Sequence, residues 1–569
     1  MPANYTQTNF TNGYQFTQGA GYVLPEYPFT EPPEIKSGET GHYPIVIAGG
    51  GITGLTLACS LARYGVQAVL LDEDNTVGVK GASSRGICYT QKSLEIFHRL
   101  GVYDAIAAKG IQWSVGRTFA GHDEVYSFDL KQQSAYNLST QPPFINIQQF
   151  YIEAFLVDRI QKLGGVDLRW QNRVTAFEQG DDGVTLSIET PAGSYKLKAD
   201  HLVDATGSHS PFRKWCAATI TAKKGDDRWC IADVRFTKHP PTERHTWVEA
   251  PFNENRAVWQ HLMGDEVWRI DYQMAPDADP AYVSREDVVR ERLERQFGKE
   301  VGVEIVWVGP YAYKSECIDQ MRHGRVFFMG DSAKVVSPFG ARGGNTGIAD
   351  ADNLAWKLAA VHKGRAAVNL LDSFHEERHE AARQNVLETN RTARFLRPAD
   401  GIERVFRTAA LGLAREHVFA RQFVNTGRMA VANPYLKSSA CSYDVAGGLS
   451  VQNVAFSWAD GSQGVVNQLL QWADGRLLVL VFGALQATAL QRLKALGLSA
   501  PLCCVQVMPA KGRAQAIEHV RDPKSHLQSA CHAEGQGWAL VRPDGYLAAT
   551  GAQVDGKLVQ AVEKSLGLR

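Results

Sequence analysis

Apolar residues along this chain form short runs, and between the runs they recur at helical spacing. The runs at 44–48, 68–71 and 326–329 are wholly apolar, as buried parallel strands are. Residues 53–64 carry apolar positions one turn apart, which predicts a helix after the first strand. Strands that alternate with helices in this way predict an α/β fold built on a parallel sheet.

A second pattern occupies the middle of the chain, where apolar and polar residues alternate. The segments 229–234, 256–263 and 267–274 follow this period of two, which is typical of antiparallel strands. The chain then becomes helical and charged after residue 371, and its composition shifts again near 435–465. Together these patterns predict an α/β domain in two parts (43–225 and 311–435), an inserted sheet domain (226–310) and a C-terminal domain (436–569). Residues 1–42 are polar, rich in Gly, Pro and Tyr, and without periodicity, so we expect an irregular arm that is either disordered or strapped over the body, and its aromatic residues favour the strap.

The composition narrows the class of protein. Of the 569 residues, 44% are hydrophobic and 21% are charged, and the formal net charge is zero. This balance gives no electrostatic reason to bind nucleic acid or an anionic membrane, and no uncharged apolar run reaches the length of about 18 residues that a membrane span needs. The nine cysteines form no CxxC pair and no zinc spacing, so we expect reduced thiols, no metal site and a cytoplasmic protein.

The clearest local signal is a glycine-rich turn between the first strand and its helix. In a dinucleotide-binding fingerprint, such a turn lets the helix N-terminus hold a pyrophosphate. The second strand ends at Asp72, at the spacing expected of a carboxylate that binds ribose hydroxyls, and Glu73 is the alternative ribose ligand on the other side of the strand. The residues of the fingerprint are Gly49, Gly51, Ile52, Thr53 and Gly54.

A second nucleotide-binding signature follows much later in the chain. The third apolar run leads to Asp331, which is placed to bind the ribityl hydroxyls of a flavin. The glycine-dense loop 337–347 then leads into a helix predicted over 348–361, with Asp350 and Asp352 in its first turn. Such a loop lets backbone lie against a flat ring, and a helix N-terminus stabilises negative charge on reduced flavin. Together the two signatures predict one FAD held along its whole length.

These segments resemble a known family, the single-component FAD- and NAD(P)H-dependent aromatic hydroxylases, which include para-hydroxybenzoate hydroxylase and phenol hydroxylase. The resemblance covers about residues 43–400 and is carried by Gly330-Asp331-Ser332-Ala333-Lys334, Pro338-Phe339-Gly340, Gly343-Gly344-Asn345-Thr346-Gly347 and Asn353-Leu354-Ala355-Trp356-Lys357-Leu358. It implies a Rossmann-like, para-hydroxybenzoate hydroxylase-like FAD domain with an inserted β-rich substrate domain. It also implies flavin contacts from Arg85, Gln149, Pro338, Gly343, Gly344 and Asn345.

The chemistry implied by the resemblance is hydroxylation of a phenolic ring with NAD(P)H and O₂, through a flavin C4a-hydroperoxide. The sequence has one dinucleotide fingerprint, so we expect NADPH or NADH to dock briefly, reduce the bound FAD and leave. Departures from the family pattern at Lys334, Ala341-Arg342 and Thr206 leave open an FAD-dependent oxidase or dehydrogenase without oxygen insertion. Asp204 is a candidate substitute for the aspartate that the family has at the position of Thr206.

Candidate catalytic residues lie on the last two of the three alternating segments, and the resemblance adds Pro338, whose backbone carbonyl it implies to lie near the peroxide. Strand alternation places Arg269 and Asp271 on one face and Tyr272 on the other, and the family's counterpart of Arg269 touches the flavin. We therefore prefer Asp271 to Tyr272 as the base or substrate anchor, with His261 as another candidate base or carboxylate ligand. The alternative for Asp271 is a structural salt bridge to an arginine.

The C-terminal part is predicted to alternate strand and helix again. A buried strand at 477–483, a helix at 485–496, a strand at 501–507 and a hairpin around 537–546 give an order that resembles the thioredoxin-like domain of the larger phenol-hydroxylase branch. No CxxC pair follows the central strand, so we expect a structural role for this domain, with contacts in a homodimer.

Overall fold

Three large β-sheets with their helices make up most of the structure, a computed structural model, and the α/β fold class predicted from the sequence is confirmed. The structure describes residues 5–7, 22–77, 86–238, 240–399, 401–424, 429–443, 446–484, 486–499, 501–509 and 518–568.

The first sheet carries the predicted nucleotide-binding strands. Its main strands lie in the order Val166–Arg169, Ala68–Leu71, Gly41–Ala48, Gly193–Asp204, Gly183–Thr190 and Arg173–Gly180. Val326–Phe328 pairs in parallel with Gly193–Asp204. Arg322–His323 pairs antiparallel with Val326–Phe328. Ala48 and Phe328 are both register partners of Asp204, so three parallel strands end at one edge of the sheet. That edge is where ligands bind in open α/β sheets.

Two long helices pack against each other beside this sheet. Ile52–Arg63 is buried except at its last residue, and Gly343–His362 is buried over nearly all its length. Every helix of the described residues is too short or too polar to cross a lipid bilayer. The other longer helices of this part of the chain are Gln91–Leu100, Tyr103–Lys109, Gln149–Leu163, Asp372–Leu396 and Ile402–Glu416.

The second sheet, which we call the roof sheet, is antiparallel except for one pair of strands. Its strands lie in the order Lys334–Val335, Val303–Ile318, Ile220–Phe236, Trp268–Gln273, Arg256–Leu262, Arg244–Ala250, Val115–Ala120 and Asp123–Asp129. The sheet extends beyond the predicted 226–310, because Val115–Ala120 and Asp123–Asp129 join it from an earlier part of the chain. Helix Glu286–Phe297 packs against its outer face.

The C-terminal sheet has seven strands in the order Gln463–Val465, Ala455–Trp458, Glu518–Arg521, Leu502–Met508, Leu477–Phe482, Trp538–Val541 and Leu547–Gly551. Its three central strands are parallel, and Trp538–Val541 runs antiparallel to Leu477–Phe482. Its helices are Val466–Ala473, Ala487–Ser499, His526–Ala530 and Gly556–Ser565. The predicted order of strands and helices is present; the thioredoxin-like assignment and the homodimer contacts stay predictions.

The N-terminal arm lies against the rest of the molecule where it is described. Tyr22 is buried, and the ring of Tyr27 stacks on Trp170 with centroids 4.5 Å apart. Glu34, in the short helix Pro33–Ser37, is buried against Arg169 at 2.9 Å. The described part of the arm from Tyr22 onward is therefore a strap over the body, as its aromatic residues had favoured.

Candidate cofactor and substrate site

The glycine-rich turn after the first strand requires glycine for steric reasons. Gly49 has φ +108°, and a β-carbon there would lie 2.4 Å from the carbonyl oxygen of Ala205. A β-carbon on Gly54 would lie 2.0 Å from the carbonyl oxygen of Gly49. The helix begins at Ile52, and its N-cap residue Gly51 supplies no side chain, so the first N–H groups are left for an outside acceptor such as a phosphate.

The Asp72 carboxylate lies against this turn from the end of the second strand. It accepts hydrogen bonds from the backbone N–H groups of Gly50, at 2.5 Å, and Asp74, at 2.8 Å. Burial raises the pKa of Asp72 to about 7. Glu73 is exposed to solvent. Of the two predicted ribose ligands, Asp72 is therefore the one that the fold holds beside the turn.

The two nucleotide-binding signatures meet at Thr53. A β-carbon on Gly330 would lie 2.6 Å from the Thr53 hydroxyl oxygen, and one on Gly347 would lie 2.3 Å from it. These two glycines let the strand and the helix of the second signature approach the first helix closely. Asp331 follows Gly330 in a single 3₁₀ turn and is exposed, so its carboxylate is accessible from this edge of the sheet.

The helix of the second signature begins at Gly343, earlier than the predicted start at Ile348. Asp350 and Asp352 consequently lie well inside the helix, and the prediction that they occupy its first turn was wrong. Glycine disfavours a helix by about 1 kcal/mol per residue relative to alanine, which is why the glycine-rich run predicted a loop. Close packing at Gly347 overrides that preference here.

The two acidic residues of this helix are internal partners of arginine and lysine. Asp350 is fully buried and accepts hydrogen bonds from Lys334 Nζ at 2.6 Å and Arg378 Nε at 2.7 Å. Asp352 accepts a hydrogen bond from Arg99 at 2.5 Å. Lys334, one of the departures from the family pattern, thus links the strand end that carries Asp331 to the helix Gly343–His362.

The N-terminus of this helix faces open space. No described atom lies within 4 Å of a β-carbon built on Gly344, and the N-cap residue Arg342 gives no side-chain cap. The first N–H groups, including those of Gly343 and Gly344, are therefore left for a ligand. A flat ring with developing negative charge is the kind of group that such a terminus stabilises.

The Asn345 side chain is used inside the fold. Its amide oxygen accepts hydrogen bonds from the Thr90 N–H at 3.0 Å and the Ser93 hydroxyl at 2.7 Å. Its amide nitrogen donates to the carbonyl oxygens of Cys88, at 2.8 Å, and Ala341, at 2.7 Å. Any contact of Asn345 with FAD must therefore come from its backbone.

Gln149, the other predicted side-chain ligand of the flavin, starts a helix near the same site. Its amide oxygen accepts the Gly86 N–H at 3.2 Å, and its amide nitrogen donates to Glu153 at 2.7 Å. Gln149 thereby holds the end of the segment that contains Arg85. Arg85 itself lies in 78–85, outside the described residues.

The motif around Thr206 is internally bonded. Asp204 is fully buried and accepts hydrogen bonds from the Thr206 N–H at 3.0 Å, the Thr206 hydroxyl at 2.6 Å and the Ser210 hydroxyl at 2.5 Å. Arg213 pairs with Glu316 at 3.0 Å and donates to two backbone carbonyls of the second signature. Asp204 and Arg213 hold the fold together here.

The face of the roof sheet opposite helix Glu286–Phe297, which we call the inner face, carries the predicted pair of charged residues. Arg269 Nε donates to Asp271 Oδ1 at 2.9 Å, and both side chains are buried. The salt bridge stated as the alternative for Asp271 is thus present, with the arginine predicted to touch the flavin. Tyr272 is a wrong candidate, because its ring lies in the core of the outer face and its hydroxyl donates to Gln296 at 2.7 Å.

His261 lies on the same inner face as the register partner of Arg269. Its Nδ1 atom is 3.9 Å from the sulfur of Cys88. Burial, reinforced by Arg244 and Arg269, holds the pKa of His261 well below its ordinary value. Burial thus disfavours the charged form of His261, and its predicted roles as a base or as a ligand of a substrate carboxylate both stay predictions.

An aromatic cluster joins the inner face to the loop 338–342, which we call the flavin loop. The rings of Trp229 and Trp259 lie 6.2 and 5.1 Å from that of Phe339. Pro338, just before it, is half-buried, and its carbonyl oxygen accepts the Ala341 N–H at 3.0 Å. The loop is thus a tight turn pressed against the roof sheet, which would exclude water from a ring bound beside it.

Sequence reasoning missed two residues of this region. The Tyr22 hydroxyl donates to Asp233 Oδ2 at 2.6 Å on the inner face, and its ring lies 5.0 Å from that of Phe150. Arg244 is buried beside Trp259, with the guanidinium carbon 5.2 Å from the ring centre. Neither belongs to a motif; the only signals were an aromatic-rich arm and an arginine on an alternating strand.

A cavity of about 1210 Å³ adjoins this region. It lies between the edge strand Asp123–Asp129 of the roof sheet and the helices Asp372–Leu396 and Ile402–Glu416. Arg342 and Met429 form its wall on the side of the flavin loop.

The described residues fit FAD. The steric demand for glycine at Gly49 and Gly54 leaves a backbone cradle for the pyrophosphate, and Asp72 lies beside it for the ribose. Asp331 and the helix that starts at Gly343 stand where the other half of the molecule would lie. This fold and site define an FAD-binding oxidoreductase with a sheet placed over the flavin.

Comparison with known proteins gives the family. A family described as "FAD binding domain" matches residues 42–389. A flavin-dependent monooxygenase of Mycobacteroides abscessus is 32% identical over 63% of this chain and 76% of its own length. The chain belongs to this family of FAD-dependent aromatic-ring monooxygenases, which use NAD(P)H and O₂. The monooxygenase interpretation is confirmed, and the oxidase or dehydrogenase alternative is not supported.

Matches that span most of the chain agree with this assignment. The 12-dehydrotetracycline 5-monooxygenase/anhydrotetracycline 6-monooxygenase of Streptomyces rimosus is 27% identical over 90% of this chain and 96% of its own length. Among solved structures, the flavin-dependent monooxygenase PieE, in complex with FAD and substrate, has a TM-score of 0.76 at 21% identity and covers 93% of this chain and 99% of its own. The structural likeness shows the fold, including the C-terminal part.

Proposed function

We propose that this monooxygenase hydroxylates a phenolic ring bound between the inner face of the roof sheet and the loop 338–342. The observation that carries the proposal is the buried Asp271 carboxylate, held by Arg269 at 2.9 Å on the face that meets this loop. When bound, FAD supplies the redox and oxygen chemistry. A carboxylate beside the ring is what activates a phenol, because a phenolate is the better nucleophile.

Asp271 and the residues around it have separate roles in the proposed reaction. Asp271 accepts the hydrogen bond and then the proton of the substrate hydroxyl, and Arg269 orients that carboxylate. Trp259 and Phe339 exclude water from the reacting ring. The N–H groups at the start of the helix Gly343–His362 stabilise negative charge on the flavin side.

The proposal is tested with labelled oxygen and one variant. The wild-type enzyme should consume NAD(P)H faster with its phenolic substrate and place one ¹⁸O atom from ¹⁸O₂ in the product. Asp271→Asn should lower hydroxylated product per NAD(P)H oxidised by about 10- to 100-fold, as loss of a proton acceptor does, and raise H₂O₂ accordingly. The measurements are product mass and peroxide yield.

Tyr272→Phe is the matched control, since it alters the next residue of the strand on the outer face. It should leave product per NAD(P)H unchanged. Equal loss in both variants would show a general disturbance of the sheet. Unchanged coupling in Asp271→Asn would reject Asp271 as the proton acceptor.

We also propose that the substrate has more than one ring. The cavity of about 1210 Å³ exceeds the need of a single phenol, since drug-sized ligands occupy about 300–1,000 Å³. Relatives named for tetracycline intermediates support this size, whereas others are named for 3-(3-hydroxyphenyl)propionate. Degradation of single-ring phenols is therefore the second candidate, and turnover of paired one-ring and fused-ring phenols separates the two.

Three further features complete the proposed enzyme. NADPH or NADH acts as a transient co-substrate, and the chain functions in the cytoplasm as a homodimer. The single dinucleotide fingerprint supports the transient docking, and the cysteines without a CxxC pair support a reducing compartment. Steady-state rates with NADH and with NADPH test the choice of co-substrate, and a mass measurement in solution tests the homodimer.

A further inference from the structure

Arg244 is a buried cation on the inner face of the roof sheet that the proposed reaction does not use. We propose that Arg244 binds an acidic oxygen group of the substrate, a carboxylate or an ionised enol. This inference rests on the proposed function, because it places the anion in the same substrate space. It narrows the substrate to aromatic acids.

The surroundings of Arg244 lack a counter-ion. The side chain is 4% exposed, and no carboxylate of the described residues lies within ion-pair distance of it. One terminal nitrogen contacts Met429 Sδ at 3.6 Å, and the guanidinium carbon lies 5.2 and 5.9 Å from the ring centres of Trp259 and Trp113. Its Nε atom has no hydrogen-bond partner in the described part of the chain.

Neighbouring titratable groups do not supply the missing charge. Burial raises the pKa of Cys88 to about 12, so its sulfur is a neutral thiol. His261 is either neutral or positively charged, so it cannot balance the charge of Arg244 in either state. Asp271 is the acid whose charge acts on Arg244, but it is bonded to Arg269 and makes no ion pair with Arg244.

A cation in such a position is costly, and burial lowers the pKa of Arg244. Arginines that only hold a fold together have partners, as Arg213 has Glu316 at 3.0 Å and Arg378 has Asp350 at 2.7 Å. A protein keeps an unmatched buried charge where a ligand provides the partner. Arg244 is the member of this inner face that fits that description.

The position of Arg244 places it behind one wall residue of the cavity. Met429 contacts Arg244 on one side and lines the cavity of about 1210 Å³ on the other. Methionine is flexible and repacks easily, so an entering anion can displace its sulfur from the guanidinium. Two nitrogens of one guanidinium match the two oxygens of a carboxylate, and aromatic walls on both sides suit a ring attached to it.

The test measures binding to the oxidised holoenzyme without NAD(P)H, so that it does not depend on turnover. The probes are 3-hydroxy-2-naphthoate with its neutral amide, and 2-hydroxy-1,4-naphthoquinone with its neutral methyl ether. Tryptophan fluorescence reports binding, because Trp113 and Trp259 flank Arg244. Arg244→Met should weaken binding of the acidic probe by about 30-fold or more and that of its neutral analogue by less than about 3-fold.

The first probe pair reports a carboxylate site and the second an enolate site. Arg117→Met is the control, because Arg117 lies on the neighbouring strand but pairs with Glu124 and Glu243; it should leave both affinities unchanged. Arg244→Met should also keep or raise the melting temperature, since it removes an unmatched buried charge. A purely structural arginine would lower it.

Three results overturn the proposal: failure of the wild-type holoenzyme to bind either acidic probe, equal loss of acidic and neutral probes in Arg244→Met, or no loss in that variant. The proposed function has its own failure, which is absence of ¹⁸O in any product. If anion binding depends on Arg244 but no oxygen is inserted into any product, the anion site is supported and the proposed hydroxylation is rejected.

Discussion

Asp72 shows how a single side chain couples cofactor binding to pH. Its carboxyl has a pKa raised to about 7 by burial, and it must be ionised to accept hydrogen bonds from ribose hydroxyls. FAD binding should therefore release a proton below about pH 7. We expect the dissociation constant of FAD from the apoprotein to rise about tenfold per pH unit below 7 and to stay constant above it. Flavin fluorescence titrations between about pH 5 and pH 9 measure this.

The raised pKa of Asp72 also determines how the folding stability of the apoprotein changes with pH. A carboxyl whose pKa is raised on folding stabilises the folded state at low pH, and this contribution is lost as pH rises from about 4 to about 7. Asp72→Asn should abolish the pH dependence of FAD binding, whereas Glu73→Gln should retain it. The same slope in Asp72→Asn as in the wild type would assign the proton to another group.

Residues of the site differ in how far sequence could reveal them. The close contact of Gly54 with the Gly49 carbonyl lies inside one turn of chain, so the glycine spacing alone predicts the nucleotide cradle. Tyr22 and Asp233 are 211 residues apart and meet only after the sheets have assembled. Arg244 has an ordinary place in an alternating strand, and only its missing partner distinguishes it.

Among the elements, the described part of the N-terminal arm contacts the inner face of the roof sheet through Tyr22. Tyr22 fills a place between Phe150 and the roof sheet and donates to Asp233, the register partner of Arg269. Tyr22→Phe should leave Asp233 without this donor and loosen the seal over the site. We expect destabilisation by about 1–3 kcal/mol and a several-fold higher yield of H₂O₂ per NAD(P)H oxidised.

Tyr43→Phe separates these two effects. Tyr43 also donates to a buried carboxylate, Glu34 at 3.0 Å, but far from the roof sheet. It should lower stability without changing the peroxide yield. If both variants raise the peroxide yield equally, the arm has no particular role at the site.

The elements themselves were predictable where the signal was local. Strands with runs of apolar residues and the helix Ile52–Arg63 were found because period and turn chemistry agree. The start of Gly343–His362 was missed because its glycine-rich run predicts a loop, and the contact of Gly347 with Thr53 is recorded in no local pattern. Val115–Ala120 and Asp123–Asp129 were left out of the roof sheet because strand pairing across more than a hundred residues depends on tertiary packing.

At the scale of the whole molecule, a buried ionic network joins the C-terminal sheet to the flavin-binding body. Arg542 pairs with Glu377 at 2.5 and 2.9 Å and with Asp544 at 2.5 Å, and Lys357 pairs with Glu377 at 2.7 Å. All four are fully buried or nearly so. Burial alone raises the pKa of Glu377, but Arg542 and Lys357 hold it well below its usual range. Lys357 belongs to the helix whose N-terminus faces the flavin site, so the C-terminal domain fixes that helix from behind.

Arg542→Met therefore tests whether the C-terminal domain and the flavin site form one cooperative unit. The variant leaves Glu377 buried with only part of its compensation, which should cost about 3–5 kcal/mol. Because the helix is shared, FAD release and the loss of tryptophan fluorescence should shift together to lower denaturant concentration. Arg383→Met, on the same helix as Glu377 but in an exposed pair with Glu380, should cost less than about 1 kcal/mol. Early unfolding of the C-terminal domain with FAD still bound would show instead that the domain is an independent appendage.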